Sequence, residues 1–581
     1  MLISEDMPIH NKDIADIFEQ VADLLEIKGE NPFRIRSYRN AARTAGSLSK
    51  NVADLISQGE DLTRYPGIGK DLAGKIEQIV ETGKLDLLEE LKKQIPGELS
   101  KLMDIAGLGP KRVAAIYHEL DISSPEDLRK AAEAGEIRKL EGFGRKTEQN
   151  ILEEAKRLAK EETHRFKLAE AEQFTEPLVE YLKKAKGAKD IEAAGSYRRR
   201  KDTVGDLDIL ATCKKGSKIM DYFVKYDDVE KVVSKGKTRS TVLLRSRFQV
   251  DLRVVPQAGY GAAMMYFTGS KEHNIAVRKI AVKKNYKLNE YGLFKGKKRI
   301  AGKTENEVYK AVGLSFIEPE LRENRGEIEA VKDGKGLPDL LTLDDIRGDL
   351  HTHTKYTDGH NTIKQMAEAA KERGYDYIAI TDHTKRLSVT GGLNVKALRK
   401  QMKEIEKVGD NIKKFTILKA SEVDIMEDGS LDLPDSVLKE LDMTVCSVHY
   451  KFGLSREKQT QRILKAMDNP HFNILAHPSG RLINERQPYQ VDMEKIMKAA
   501  NDRGCCMELN AHPDRLDLND VHCRLAKEIG VKIVISTDAH SINDMDFIRF
   551  GVGQARRGWL EAADVVNTRS VKELKKQLKR N

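Results

Sequence analysis

The chain has few cysteines, no long apolar run and, over its first 340 residues, almost no histidine. Five cysteines stand in 581 residues; none forms a CxxC pair, and Cys505 and Cys506 are adjacent. That pattern excludes a disulfide framework and fits buried thiols in a reducing compartment. No apolar stretch approaches the roughly 20 residues needed to cross a bilayer, and the N-terminus carries no signal-peptide pattern, so a cytoplasmic protein without a membrane partner is expected. Only four of the 14 histidines (His10, His118, His164 and His273) precede residue 340. Such a skew implies two chemistries, one without imidazole and one built on it. The balance of 101 Lys+Arg against 92 Asp+Glu suits a polyanionic partner but is too mild to require one. The length suggests about three or four domains.

The first 165 residues alternate helix-period apolar patterns with short glycine turns, and they repeat internally. The segments YPGIGKDLAGKI (65–76), IAGLGPKRVAAI (105–116) and LEGFGRKTEQNI (140–151) share Gly-apolar-Gly, a basic follower and an isoleucine seven residues after the second glycine. The residues concerned are Gly67, Gly69 and Lys70; Gly107, Gly109 and Lys111; and Gly142, Gly144 and Arg145. Glycine permits the tight turn and lets backbone N–H groups approach a phosphate at the following helix N-terminus. One copy fits an ordinary helix hairpin equally well, but three copies with basic followers point to duplex-backbone binding. The pattern resembles the helix-hairpin-helix motif, which grips DNA without reading sequence.

Residues 166–315 contain strand-like runs, among them GDLDILATC (205–213), STVLLRSRFQVDLRVVP (240–256) and AAMMYFTG (262–269). Asp206 and Asp208 lie two apart and so share one face of a strand, and Asp251 offers a third carboxylate from another apolar strand. Three aspartates holding two Mg²⁺ or Mn²⁺ ions suit phosphoryl transfer. A lone D-x-D would be an ordinary strand end, but it is flanked by GSYRRRKDTVGDLD (195–208) and YFTGSKEHNIAVR (266–278).

Over about residues 1–315 the chain thereby resembles the family X DNA polymerases, nucleotidyltransferases typified by DNA polymerase beta. The resemblance implies that Ser196 and Arg199 contact a triphosphate with Gly205 packed against it. Tyr266, Phe267 and Gly269 would line the sugar, and Asn274 and Arg278 would sit near the nascent base pair. Arg200 stands where a glycine is usual, and Gln249 where an arginine positions the third carboxylate. Lys75 matches the lysine that family members use as a Schiff-base nucleophile against a 5′-deoxyribose phosphate; a solvated helix-face lysine is the competing account. Asp71 replaces a phosphate-binding lysine there, while Arg34 and Tyr38 remain.

The segment 316–345 is polar and mixed in charge, with Pro319, Pro338 and several glycines, and reads as a linker that partly orders as a helix. Beyond it, YDYIAITDH (375–383), FTILKASEVD (415–424), MTVCSVHY (443–450), NILAHPS (473–479), CCMELNA (505–511) and VKIVISTDAH (531–540) are short β-branched runs, each ending in metal-ligand side chains and followed by a helical stretch. DLHTHTKYTDG (349–359) opens the series. Polar ligands at successive strand ends are how a β/α barrel builds an active site. His351, His353, Asp358, His383, Glu422, His449, His477, Asp538 and His540 make nine candidate ligands, too many for one zinc and suited to about three Zn²⁺, Mn²⁺ or Fe²⁺ ions. Such a cluster activates water for phosphoester hydrolysis. His512, Arg515 and Arg481 are candidate phosphate contacts.

The order HxH, D-G, TDH, E, H, HP, DxH over about 346–575 resembles the PHP (polymerase and histidinol phosphatase) domain, with all nine ligand positions filled. The expected architecture is multidomain. It has a helical 8-kDa-like domain (1–85), a helical fingers-like domain (86–165), an α+β nucleotidyltransferase palm and thumb (166–315), the linker and a distorted β/α barrel (346–575). The two resemblances together describe the bacterial and archaeal family X polymerases. They imply template-directed filling of short gaps from dNTPs on gapped or nicked DNA, near the nucleoid. They also imply 3′→5′ exonuclease activity and extend to abasic-site incision and 3′-phosphate removal. No oligomerisation signal is legible, and a monomer is expected. Two other readings, a small-molecule phosphoesterase with a relic polymerase half and a non-catalytic DNA-end scaffold, are opposed by the intact metal sets in both halves.

Overall fold

The computed structural model describes residues 11–48, 52–94, 102, 105, 108–120, 122–158, 165–214 and 217–579. The chain forms two compact units, residues 1–164 and 165–581. Among the described residues no helix is long and apolar enough to cross a membrane.

The first unit is helical. In Asn11–Ile27, residues Ile14, Phe18, Val21 and Leu25 recur at helical spacing and are all buried. The next helix, Pro32–Ser47, begins with proline at its first turn, and the Asn31 side chain caps the N–H of Phe33. A single apolar core runs from Ile14 through Ile76 to Val113 and Ile151. The segments on either side of residue 85 therefore share one interior.

The second unit begins with a short ribbon of β1 (Phe166–Lys167) and β3 (Thr203–Val204). The palm sheet follows: β2 (Ala188–Ala193), β4 (Asp206–Cys213), β5 (Val229–Lys235), β6 (Arg239–Leu244) and β7 (Gln249–Val254), in the spatial order β2-β4-β7-β6-β5. Strands β4 and β7 are parallel, with Asp208 directly beside Asp251. The run 240–256 is thus two strands with a turn between them. The run 262–269, expected as a strand, lies in a helix, Tyr260–Thr268. Its residues are apolar on every side, so periodicity could not separate a buried helix from a buried strand.

The thumb contains a small antiparallel sheet, β8 (Lys287–Asn289), β9 (Gly292–Lys295) and β10 (Lys298–Ala301), packed with helices Lys271–Lys283 and Glu305–Val312. The segment read as a linker is part of this core. Ile317, Leu321, Ile328 and Leu340 are buried beside Val277 and Val308. Its polar composition misled because Arg322 is fully buried as the ion-pair partner of Glu305, and Glu327 is fully buried against His273 Nδ1, neither of them solvated.

The remainder is a parallel barrel of β11 (Gly348–Asp349), β12 (Tyr377–Ile380), β13 (Thr416–Asp424), β14 (Met443–Ser447), β15 (Ile474–Leu475), β16 (Cys506–Asn510) and β17 (Ile533–Ser536), paired in chain order. Parallel pairing at Thr352 and Ala539 brings the first and last strand ends together. Helices cover the outside, so the strands are buried on both faces, as their continuous apolar runs require.

Candidate active sites

Asp206 and Asp208 project from the same face of β4, and Asp251 joins them from β7. Asp251 is held in place by its neighbours: it accepts hydrogen bonds from Thr241 Oγ1, from Arg239 Nη2 at 2.8 Å and from Arg253 Nη2 at 3.3 Å. Arg239 and Arg253 therefore provide the guanidiniums that Gln249 does not. Burial, then Asp206, pushes the Asp208 carboxyl up to about 6, with Asp251 adding to the effect and Arg253 opposing it. Burial, then Asp251, also raises Asp206. Three aspartates on one face of two adjacent strands, two of them with raised pKa, fit divalent cations with oxygen ligands.

This has a pH consequence. Because the Asp208 pKa is raised to about 6 in the fold, its protonated form favours the native state. That stabilisation is full below the unfolded value of about 3.9 and is lost as pH rises through the folded value. A cation must displace this proton under acidic conditions. The apparent Mg²⁺ affinity for nucleotide insertion should then fall about tenfold per unit below pH 6. Mg²⁺ titrations at several pH values check this.

A cleft of about 430 Å³ opens beside the carboxylates and is lined by all eight residues expected around a nucleotide: Ser196, Arg199, Gly205, Tyr266, Phe267, Gly269, Asn274 and Arg278. Arg165, Lys201 and Lys271 also line it and were not anticipated. Asn274 Nδ2 donates to the Tyr266 carbonyl at 2.7 Å, which ties the helix Lys271–Lys283 to the last turn of the helix Tyr260–Thr268. The Arg253 guanidinium lies 4.4 Å from the Phe267 ring centre. Arg200 adopts the left-handed conformation (φ 55°) that explains the usual glycine. It faces Gly553 of the barrel domain, where an added Cβ would already touch the arginine at 3.4 Å.

In the helical unit, Gly67 and Gly142 have φ of 87° and 80°, as their turns demand. Gly69 caps the helix Lys70–Thr82 with no side-chain hydrogen bond, and space beside Gly69, Gly109 and Gly144 is open. Lys70 and Arg145 are exposed at helix starts. Gly107 lies outside the described residues. Lys75 is paired with Asp71 one turn earlier and lies 5.9 Å from the Tyr38 ring centre.

The barrel mouth gathers all nine expected ligands. Glu422 is the hub: its Oε1 lies 3.1 Å from His477 Nε2 and 3.2 Å from His449 Nε2. Its Oε2 lies 2.8 Å from His383 Nδ1, 3.4 Å from His351 Nε2 and 3.6 Å from His353 Nε2. Asp538 Oδ1 approaches His353 Nε2 at 3.1 Å, and Asp358 Oδ2 lies 3.4 Å from both His383 and His540 Nε2. The strand ends explain the convergence: His449 and His477 each follow their strand by two residues, and Asp538 and His540 follow β17 by two and four. His477 and Asp538 both have positive φ (27° and 56°), backbone strain of the kind found at functional sites.

Whether these residues fit metal ions can be tested on their own bonding. His351 Nε2, His353 Nδ1, Asp358 Oδ1 and His477 Nδ1 are buried without a hydrogen-bond partner, and His383 Nδ1 meets Glu422 Oε2 at 2.8 Å without hydrogen-bond alignment. Burial opposes a charged imidazole at His383, yet Glu422 and Asp358 outweigh it and push the ring up to about 10. His449, beside Glu422 and Asp424, rises to about 9, as does His540 beside Asp358 and Asp538, in each case against burial. The carboxylates thus call for positive charge where lone pairs converge. Three overlapping donor groups meet this need: His353, Asp358, His383 and His540; His351, His353 and Asp538; and His383, Glu422 and His449. The site fits divalent cations with mixed nitrogen and oxygen ligation.

Two functional carboxylates went unread in the sequence. Glu508, fully buried in β16, lies 2.7 Å from His351 Nδ1 and accepts from Ser536 Oγ and the His477 N–H. Asp424 lies 3.0 Å from His449 Nδ1. Such partners fix the ring orientation of a metal-binding histidine. Glu508→Gln should weaken metal binding by about 10–100-fold, measured by metal content after dialysis against a graded chelator.

Arg481 is a correction. Its Nε donates to the Arg515 carbonyl, its Nη2 to that of Leu516, and its Nη1 pairs with Asp202 of the palm at 3.0 Å. All three nitrogens of the guanidinium are engaged, and they tie a loop to the palm. Arg515 does reach the site, with Nε 3.5 Å from Asp538 Oδ2. His512 is partly exposed, and its Nδ1 accepts from the Asp514 N–H at 3.3 Å.

Comparison with known proteins divides the chain along the same lines. A helix-hairpin-helix domain family matches residues 9–85, and a SAM-like helix-hairpin-helix tandem matches 99–157. DNA polymerase beta palm matches 165–257, DNA polymerase beta thumb 263–323, and the PHP domain 349–512. The chain is 36% identical to a protein of Bacillus subtilis (strain 168) named DNA polymerase/3'-5' exonuclease PolX, over 577 residues, 99% of this chain and 100% of that one. It is 32% identical over 250 residues to a probable phosphatase of Thermoanaerobacter sp. (strain X514), covering 40% of this chain and 95% of that one. DNA polymerase lambda of Rattus norvegicus is 26% identical over 344 residues, 54% of this chain and 56% of that protein.

Proposed function

The chain belongs to the family X DNA polymerases that carry a C-terminal PHP domain, and from that premise we infer that it is a gap-filling DNA polymerase with a second, hydrolytic site that trims 3′ ends. Two chemically different clusters support this reading: three aspartates on adjacent palm strands, and a set of imidazoles and carboxylates at the barrel mouth.

In the palm, Asp206, Asp208 and Asp251 would hold two Mg²⁺ or Mn²⁺ ions, which when bound acidify a primer hydroxyl and neutralise the triphosphate. Arg199, with Ser196 and Gly205, supports triphosphate binding. Tyr266, Phe267 and Gly269 would bound the sugar, and Asn274 and Arg278 would lie toward the base. Lys201 and Lys271 add positive charge to the same cleft. In the barrel, the nine ligands would hold about three ions, which when bound supply hydroxide and a clamp for the scissile phosphate. Arg515 is placed to neutralise charge beside Asp538. The turns at Gly67, Gly109 and Gly142 support sequence-independent grip on the duplex backbone. At Lys75, amine chemistry on a 5′-deoxyribose phosphate requires the pair with Asp71 to break.

Single-nucleotide insertion on a gapped duplex, with each of the four templating bases in turn, tests the polymerase reading. Insertion that follows the template is expected; insertion indifferent to it, or none, contradicts the reading.

A further inference from the structure

The arginine offered to the triphosphate is shared with a carboxylate. Arg199 Nε lies 3.0 Å from Glu323 Oε1, and the same oxygen lies 3.0 Å from Arg557 Nη1. Arg557 Nη1 also donates to the Arg199 backbone carbonyl at 2.7 Å. On its other side Arg557 Nη2 meets Asp520 Oδ2 at 2.6 Å, and Arg325 Nη1 reaches that same oxygen at 2.9 Å. Little water reaches this chain of charges: the side chains of Arg199, Glu323 and Arg557 are 11%, 12% and 2% exposed.

The participants come from three parts of the fold. Arg199 belongs to the palm, Glu323 and Arg325 to the segment that completes the thumb core, and Arg557 to the end of the barrel helix Ile548–Arg557. Three guanidiniums and the Lys201 ammonium face two carboxylates, so the cluster carries surplus positive charge. Arg199 is the member that lines the nucleotide cleft, and there the surplus is useful. Without Arg557, Glu323 would have Arg199 as its nearest cation, and a buried carboxylate would both hold that guanidinium and repel an incoming triphosphate. Asp520 would keep Arg325.

We propose that Arg557, a residue of the C-terminal hydrolytic domain, is a positioning residue of the polymerase site: it shares Glu323 and pins the Arg199 backbone, so that Arg199, held through Nε by Glu323 and through Nη1 by the Thr268 carbonyl, keeps its net charge and its Nη2 for the triphosphate. The charge state of Glu323 agrees with this. Burial opposes its ionisation, but Arg557 first, then Arg199, Lys201 and Arg325, hold its carboxyl down to about 2, so it is an anion that needs a partner. The inference rests on the polymerase reading above. It implies that the polymerase half is not self-contained, and that the barrel domain contributes to nucleotide affinity without touching the nucleotide.

The test uses the full chain with Arg557→Met, Glu323→Gln and the double substitution, with KM for dNTP and kcat measured for insertion into a gapped duplex. Trimming of a single strand reports on the integrity of the barrel domain. Arg557→Met is expected to raise KM about tenfold with a much smaller change in kcat and with trimming retained. Glu323→Gln should leave KM unchanged or lower, and the double substitution should return KM to within about twofold of the unmodified chain. A merely structural Arg557 predicts the reverse: no rescue by Glu323→Gln, and a fall in kcat and trimming along with the rise in KM. An unchanged KM in Arg557→Met, or a double variant as impaired as the single, overturns the proposal. If Arg557→Met does not fold, Glu323→Gln alone decides, because a raised KM there contradicts the charge-balance argument. Failure of the unmodified chain to insert any nucleotide is distinguishable from these outcomes and refutes the underlying polymerase reading.

Discussion

Asp208→Asn should remove nucleotide insertion, with a loss of about three orders of magnitude or more in kcat, while trimming of a single-stranded 3′ end stays within about twofold. The substitution keeps the side-chain shape and deletes one charge. Asp208 sits between Asp206 on its own strand and Asp251 directly beside it on β7, so its loss leaves neither of two cations a full set of anionic ligands. The fold should tolerate the change. Asp208 is the carboxylate that burial and Asp206 already push up to about 6, so its charged form is a cost to the metal-free protein near neutrality. A melting temperature equal to or above that of the unmodified chain, measured without metal, is the matching stability result. Primer extension and strand trimming on one preparation check both activities.

Glu422→Gln should do the opposite: trimming falls on the order of 10³-fold, and gap filling persists. Among the described residues no other carboxylate lies against five imidazoles, here those of His351, His353, His383, His449 and His477. Removing its charge withdraws the interaction that raises His383 and His449 and breaks one of the three donor groups outright. The variant should therefore retain less metal per chain after dialysis, which elemental analysis measures. Normal metal content combined with lost trimming would mean that Glu422 acts on the substrate and not as a ligand.

These expectations come mostly from residues that were legible in the sequence, and the exceptions have physical reasons. The barrel ligands were readable because each closes a β-branched run, and parallel strands place their C-terminal ends on one rim. Asp206 and Asp208 were readable because a two-residue spacing defines a strand face. Glu508 was not, because in CCMELNA it stands inside an apolar strand, and only the fold shows its carboxylate against His351 Nδ1. The support of Asp251 by Arg239 and Thr241 was hidden for the same reason: it depends on the register of β6 against β7. The segment 316–345 looked solvated because charge usually means exposure. Here Arg322, Glu323 and Glu327 are interior partners of Glu305, Arg199 and His273. Arg481 looked available for a phosphate until its three hydrogen-bonding groups were traced to Asp202 and two carbonyls.

The most direct test of two active sites in one chain is a time course on a gapped duplex with a 5′-labelled primer in Mn²⁺, run with and without dNTPs and resolved on a sequencing gel. The account predicts template-length extension with dNTPs and progressive shortening without them, from the same protein preparation. Shortening in both lanes with no extension would contradict it, leaving the palm as a platform that only positions DNA for the barrel.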